Sequence, residues 1–335
     1  MLKKSILFPM NKIGQQFAIR KGKYYEEERR IPTLLRKQKW LALFLIVFIA
    51  LAGADSALAE TPSGKDKAMY VWNVRQEMNT LDNRNKLISF ALQKGINLMY
   101  VMTGDYLKTD PYKYEMLNAA AAQNGIKVYA LNGDKSWGQR QNEALNQMQQ
   151  IYDFNQKVSA EKRFSGIQFD IEPYLNCEWK DKEARKTLIK DYLDLLAKLK
   201  TKAASEPGQI PMSAAIPFWW DGAEYDYVYQ GTAKKLAYHV IDMMDGGVTM
   251  MAYRNTAAGI ISISEGEADY AAKTGKPFSV AVETKDLPEA YTTFFGKTET
   301  DMNQELDIVD SRYANLSVYR GLAIHSYEYF RLMKP

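Results

Sequence analysis

The run Ser165-Gly166-Ile167-Gln168-Phe169-Asp170-Ile171-Glu172-Pro173 concentrates more chemistry than any other stretch of the chain. Read as a β-strand, it places Gln168, Asp170 and Glu172 on one face and Ile167, Phe169 and Ile171 on the other. Two carboxyls at i and i+2 on one face sit roughly 5–7 Å apart and repel, which raises the pKa of one of them. A carboxyl that keeps its proton near neutral pH is what a general acid must be. A strand with Ile and Phe at its alternate positions is buried on that side, so the pair belongs to a shaped site rather than to open surface. A salt bridge to Arg254 or Lys285 is the competing use of the two acids.

The rest of the chain supplies elements to position this strand. Short β-rich runs at 69–74, 97–102, 127–131, 166–172, 211–216, 248–253, 277–283 and 321–325 alternate with amphipathic stretches. The helices are predicted at 81–93, 113–124, 139–158, 181–202, 232–244, 260–274 and 302–314, with a short one after Ser326. Within 181–202, Leu188, Tyr192, Leu195, Leu196 and Leu199 follow the i, i+3, i+4 spacing of a helix lying on a sheet. Gly95, Gly125 and Gly275 stand where helix C-caps need a left-handed residue. Eight β/α units over 69–335 predict a single (β/α)8 TIM barrel. A doubly wound dinucleotide or P-loop fold lacks its G-x-G-x-x-G or G-x-x-x-x-G-K-[ST] loop here.

In such a barrel the chemistry gathers where strands end. Those ends carry Trp72 and Arg75; Thr103 and Asp105; Asn132 and Asp134; Asp170 and Glu172; Trp219, Trp220 and Asp221; Tyr253 and Arg254; Glu283 and Lys285; and His325, Tyr327 and Glu328. Carboxylates and aromatic rings dominate, a combination suited to sugars, whose flat C–H faces are rimmed by hydroxyls. Gln168, Trp72, Trp219, Trp220, Arg254, Glu283 and His325 are accordingly expected to bind substrate, with Tyr174, Trp137, Trp179, Tyr225 and Tyr227 in adjacent loops. His239, inside a predicted helix, reads as structural. One cysteine (Cys177) and two histidines exclude an intrachain disulfide and a Cys/His zinc centre. Neither a G-x-S-x-G elbow nor calcium-loop spacing occurs, so neither metal nor cofactor is expected.

The 165–172 strand resembles the fourth strand of glycoside hydrolase family 18, the chitinase-like barrels, whose motif is D-x-x-D-x-D-x-E. Asp170 matches the last Asp and Glu172 the catalytic Glu, while Ser165 and Gln168 replace the two earlier acids. Met251-Ala252-Tyr253-Arg254 is similar to the family's M-x-Y-[DN] element, with Arg254 in place of the acid or amide. The resemblance implies a substrate-assisted mechanism on an N-acetylhexosamine-containing glycan. Glu172 would protonate the leaving oxygen, the substrate's own 2-acetamido oxygen would attack the anomeric carbon, and Asp170 and Tyr253 would hold the resulting ring. Two other readings use the same residues. A retaining glycosidase would employ Glu172 as acid/base and Glu283 as nucleophile, although Ile171 stands where such barrels carry Asn before Glu-Pro. A carbohydrate-binding barrel would have lost turnover.

The 335 residues are 46% hydrophobic and 25% charged, an ordinary globular composition. The net charge of +4 is unevenly spread. Residues 1–39 hold eleven Lys/Arg against three Glu, and Asp55 is the sole charge in 40–59, so 60–335 carry 33 bases against 36 acids. A slightly acidic body argues against nucleic acid as partner. The uncharged run 40–54 after a cationic flank, followed by Ala57-Leu58-Ala59, reads as a signal peptide or membrane anchor over 1–59. The expected organisation is leader, linker at 60–68 and barrel at 69–335, in a chain exported to the extracellular space or cell envelope. Membrane contact would come only through an uncleaved leader.

Overall fold

A computed structural model describes residues 64–335. The expected leader, with its apolar run and cleavage point, lies outside the described residues, as do residues 60–63 of the linker. The barrel strands are β1 (Asp66–Val71), β2 (Leu98–Met102), β3 (Lys127–Asn132), β4 (Gly166–Phe169), β5 (Met212–Pro217), β6 (Val248–Met251), β7 (Phe278–Glu283) and β8 (Tyr319–His325). They pair in parallel in chain order, and β1 closes on β8 through Asp66 with Gly321 and Met69 with Ile324. This is the expected (β/α)8 barrel.

The alternation read from the sequence decides what lies inside. Met69, Val71, Met99, Val101, Ile167 and Phe169 point outward into the layer beneath the helices. Tyr70, Leu98, Tyr100, Leu131, Ala281 and Ala323 fill the lumen, with Trp72, Tyr129 and Tyr253 against them. Room for the aromatic lumen comes partly from Gly166, where a β-carbon would lie 2.5 Å from the Tyr129 ring.

The outer helices are α1 (Leu81–Gln93), α2 (Pro111–Gln123), α3 (Gln141–Lys157), α4 (Lys182–Ser205), α5 (Leu236–Met243), α6 (Ala257–Thr274) and α7 (Glu299–Tyr313). Helix α4 starts where the Asp181 carboxylate accepts from the backbone N–H groups of Glu183 and Ala184. It buries Leu188, Tyr192, Leu195, Leu196 and Leu199, the stripe read from spacing. Each such side chain contributes about 1.5–3 kcal/mol of apolar burial. Gly95, Gly125 and Gly275 adopt the left-handed conformation expected of them.

Three departures from expectation have local causes. The first strand begins at Asp66, because Asp66, Lys67 and Ala68 find partners across the seam in β8. The helix predicted over 232–244 starts only at Leu236, and Thr232–Lys235 pairs antiparallel with Asp226–Tyr229. The turn residues Gln230 and Gly231 both have positive φ, the geometry of a tight hairpin. Finally, the β4 ladder stops at Phe169 rather than 172, since Pro173 cannot donate and opens a 3-10 turn over Pro173–Leu175.

Candidate active site

Asp170 and Glu172 sit past the ladder end of β4, at the barrel mouth. The Asp170 amide still donates to the Asn132 carbonyl at 2.8 Å, which carries the β3–β4 pairing one residue further. That approach requires Gly133, where a β-carbon would lie 1.7 Å from the Asp170 carbonyl oxygen. The chain then leaves the sheet, and the 3-10 turn brings Tyr174 back so that its hydroxyl donates to Glu172 Oε1. Tyr174 is wedged edge-on against Trp219 with ring centroids 5.1 Å apart.

The electrostatics of the two acids differ. Asp170 Oδ1 is buried without a hydrogen-bond partner among the described residues. Burial, and then the neighbouring Glu172 charge, push the Asp170 carboxyl up to about 7, with His325 pulling it down. Burial raises Glu172 as well, opposed by the Tyr174 hydroxyl and by His325. Among the described residues no Lys or Arg forms a salt bridge with either acid; the pairing with Arg254 or Lys285 weighed above is not made. Two desolvated carboxyls without a cation titrate as a unit and retain one proton near neutrality. Such a pair can deliver a proton to a leaving group.

Tyr253 follows β6, and its half-buried ring stands against the lumen aromatics. Its ring centroid is 6.2 Å from that of His325. Its hydroxyl makes no hydrogen bond among the described residues, and burial, followed by the Glu283 charge, raises its pKa well above the phenol range. It remains a neutral donor. His325, at the end of β8, accepts from Trp72 Nε1 at 2.8 Å on its Nε2 and meets Glu283 Oε2 at 2.8 Å through Nδ1. Burial opposes a charged ring at His325, but the Glu283 bond and charge, and Asp170, outweigh it and raise the pKa. The indole N–H aimed at Nε2 favours the neutral ring, because an imidazolium there would have to displace Trp72.

The structure brings Asp170, Glu172, Tyr253, His325 and Trp72 together and revises the roles of the other expected substrate contacts. Gln168 has 0% exposure: its amide donates to the Tyr70 hydroxyl at 3.2 Å and accepts from Ser213 Oγ. It is a lumen residue below the acids, not a substrate contact. Trp220, also at 0%, packs against Tyr192, Trp179 and Trp219 beneath the loop after β5, so its indole cannot meet a ligand. Glu283 is 3% exposed, and Thr284 and Lys285 donate their backbone N–H groups to its Oε1 at 2.8 Å each. Its side-chain hydrogen bond to the site runs through His325. Trp219 is half-buried and keeps contact with Tyr174. Arg254 lies over the rings of Phe218 and Tyr291 at 4.9 and 5.2 Å, stapling two rim loops together. His239, as expected, is buried and bonded to the Tyr227 carbonyl.

Several contributors escaped the sequence reading. Tyr174 was grouped only with loop aromatics, and its position two residues past Glu172 signals a contact only once Pro173 is seen to force a tight turn. Tyr70 and Ser213 are inward positions of β1 and β5, and the period-two pattern identifies them as such but not as partners of Gln168. Glu328, read from the sequence as a strand-end residue without a partner, accepts from the backbone N–H groups of Trp72 and Asn73 at 2.8 and 2.7 Å, across the barrel seam.

No protein-family model matches the sequence, and no curated protein is significantly similar to it. Among solved structures the chain is similar to a family 99 glycoside hydrolase, the endo-α-mannosidase of Bacteroides thetaiotaomicron. The TM-score is 0.51 at 11% identity, over 79% of this chain and 84% of that one. More distant likenesses include the spore cortex-lytic enzyme of Bacillus cereus, with TM-score 0.46, 10% identity and 80% and 73% of the two chains covered. Another is a family 18 chitinase of Flavobacterium johnsoniae, with TM-score 0.44, 12% identity and 78% and 88% covered. At such identities the likeness to the endo-α-mannosidase is one of fold alone: the chain is a (β/α)8 barrel.

Proposed function

We propose that this protein is a glycoside hydrolase that cleaves a polysaccharide or glycan with Glu172 as general acid. The single observation that carries this reading is the buried Asp170–Glu172 pair at the barrel mouth, without a cation and holding one proton near neutrality. The fold likeness to an endo-α-mannosidase supports it by analogy only, since barrels host many chemistries.

In the mechanism proposed, the proton on the pair moves from Glu172 to the glycosidic oxygen as the C–O bond breaks. The substrate's 2-acetamido oxygen forms the new bond to the anomeric carbon, giving a cyclic cation. Asp170, as a carboxylate, holds that cation's N–H, while the free Tyr253 hydroxyl hydrogen-bonds the reacting acetamido group. Water then attacks the anomeric carbon, the bond to the acetamido oxygen breaks to restore the acetamide, and Glu172 takes a proton from the water. The acetamido requirement comes from the resemblance to family 18 barrels, and the free hydroxyl of Tyr253 supports it. The two-glutamate alternative is less well supported, because Glu283 is 3% exposed and its carboxylate already accepts two backbone N–H groups and faces His325. Export by the 1–59 leader to the cell envelope or beyond belongs to the same proposal.

The test compares matched glycans with and without the 2-acetamido group, using wild type and Glu172→Gln. Cleavage restricted to acetamido substrates and lost in the variant is expected. Cleavage of plain sugars at equal rate would overturn substrate assistance, and binding with no turnover of any glycan would favour the carbohydrate-binding barrel.

A further inference from the structure

We infer that Glu283, His325 and Trp72 form one unit that sets the plane of a sugar-stacking platform beside the acid pair. In it Trp72 is the residue that touches the ring, and Glu283 and His325 are positioning residues. The ligand rests on the glycan reading above; the linkage among the three side chains does not.

An indole nitrogen can only donate, so the 2.8 Å contact from Trp72 Nε1 makes His325 Nε2 an acceptor. A neutral imidazole then carries its proton on Nδ1, where Glu283 Oε2 receives it at 2.8 Å. Glu283 is in turn fixed by the Thr284 and Lys285 amides on its other oxygen. The tautomer is therefore dictated from both ends, and the direction of the chain of bonds runs from indole to imidazole to carboxylate.

The main chain beneath the indole is held as well. Glu328 Oε1 accepts from the amides of both Trp72 and Asn73, so one carboxylate just past β8 pins the end of β1 through two bonds. The indole lies nearly parallel to the Tyr70 ring, 12° between planes with centroids 6.3 Å apart. Backbone, ring plane and ring nitrogen are each constrained.

Packing alone does not call for this. Trp72 is half-buried, and solvent could satisfy its N–H. Trp220 offers the contrast: it is fully buried, and its Nε1 has no partner among the described residues. The chain leaves a structural indole unsatisfied yet directs a buried carboxylate and an imidazole to an indole at the barrel mouth. Fixing a rotamer in advance raises affinity by removing the ordering cost that a ligand would otherwise meet. The His325 ring also stands 6.2 Å, centroid to centroid, from that of Tyr253, which puts the platform beside the proposed site. The ligand class that fits a flat indole there is a pyranose presenting its C–H face.

The experiment has two arms on the full chain. Nitrogen-15 NMR of the two histidines reads the tautomer at neutral pH: protonated Nδ1 with bare Nε2 at His325 is expected. A proton on Nε2 overturns the linkage. Binding of a chito-oligosaccharide is then titrated in a Glu172→Gln background, where turnover does not interfere. Adding His325→Phe, which keeps a ring but loses both bonds, is expected to raise Kd at least tenfold. His325→Gln offers an acceptor to Trp72 and a donor to Glu283, and recovers most of the affinity. Equal affinity in all three overturns the positioning role, as does failure of Gln to do better than Phe. If neither chito-oligosaccharides nor plain glucans and mannans bind the parent chain, the glycan reading fails and the platform's ligand with it, whereas the NMR result still decides the linkage.

Discussion

The Tyr174 hydroxyl donates to the carboxylate of Glu172, two residues before it on the same 3-10 turn. The bond favours the ionised form of Glu172 and opposes the upward push of burial. Asp170 has no such donor on Oδ1 among the described residues, and burial pushes its carboxyl up. The two acids share one proton, and Glu172 must hold it when a glycosidic oxygen arrives.

Replacing Tyr174 by Phe removes that donor. The pKa of Glu172 then rises, and the alkaline limb of the kcat/KM profile moves to higher pH. The acid also loses its orientation, so the rate at the optimum is expected to fall by roughly tenfold. A pH–rate profile of the variant checks both effects.

Asp170→Asn should act in the opposite direction on the profile. Asp170 titrates at about 7, so activity that needs one proton on the pair falls as pH rises through that value. Removing the neighbouring charge lowers the Glu172 pKa, and the alkaline limb moves to lower pH. The loss of the carboxylate that holds the acetamido N–H costs roughly 10²–10³ in kcat, the range of one transition-state hydrogen-bond partner.

Gly133→Ala tests the scaffold under the pair. Its β-carbon would sit 1.7 Å from the Asp170 carbonyl oxygen, backbone against backbone, so the β3–β4 approach must open. The expected cost is about 3 kcal/mol or more, visible in denaturant unfolding, with activity lost in whatever fraction remains folded.

A second buried acid, remote in role from the pair, governs stability. Glu267 on α6 has 0% exposure, and neither of its carboxylate oxygens has a partner among the described residues. Burial, with Asp221 adding to it, pushes its carboxyl up to about 9. Between the unfolded value near 4.5 and about 9, the folded protein holds a proton that the unfolded chain has released. Stability thus declines as pH rises through that window. Glu267→Gln keeps the shape and removes the titration. The variant should be more stable than wild type by about 1–3 kcal/mol at pH 8, with the gain vanishing near pH 4.5, as thermal unfolding at several pH values will read.

The barrel was legible because each strand alternates and each helix carries a stripe, and because glycines stand at helix C-caps. Asp170, Glu172, Tyr253, Trp72 and His325 were legible as mouth residues for the same reason: strand ends mark the mouth. Depth was not. Gln168 shares the face of Asp170, but alternation says nothing about how far below the rim a side chain lies, and at 0% exposure it belongs to the lumen. Glu283 ends its strand as Glu172 nearly does, yet the two amides that follow it curl back onto its carboxylate. Trp219 and Trp220 are neighbours in a 3-10 turn, where no period-two rule applies, and they point to different environments. Contacts across the seam, such as Trp72 with His325 and Glu328, join residues more than 250 positions apart, beyond the reach of local pattern.

The most direct test of Glu172 as proton donor is the dependence of rate on the leaving group. A series of aryl glycosides of N-acetylglucosamine and its oligomers spans leaving groups that need protonation and those that depart unaided. Glu172→Gln is predicted to lose roughly 10²–10⁴ in kcat/KM on poor leaving groups while keeping near wild-type rates of bond cleavage on the most activated one. An equal loss across the whole series, or none at all, would contradict the assignment of Glu172 as the acid.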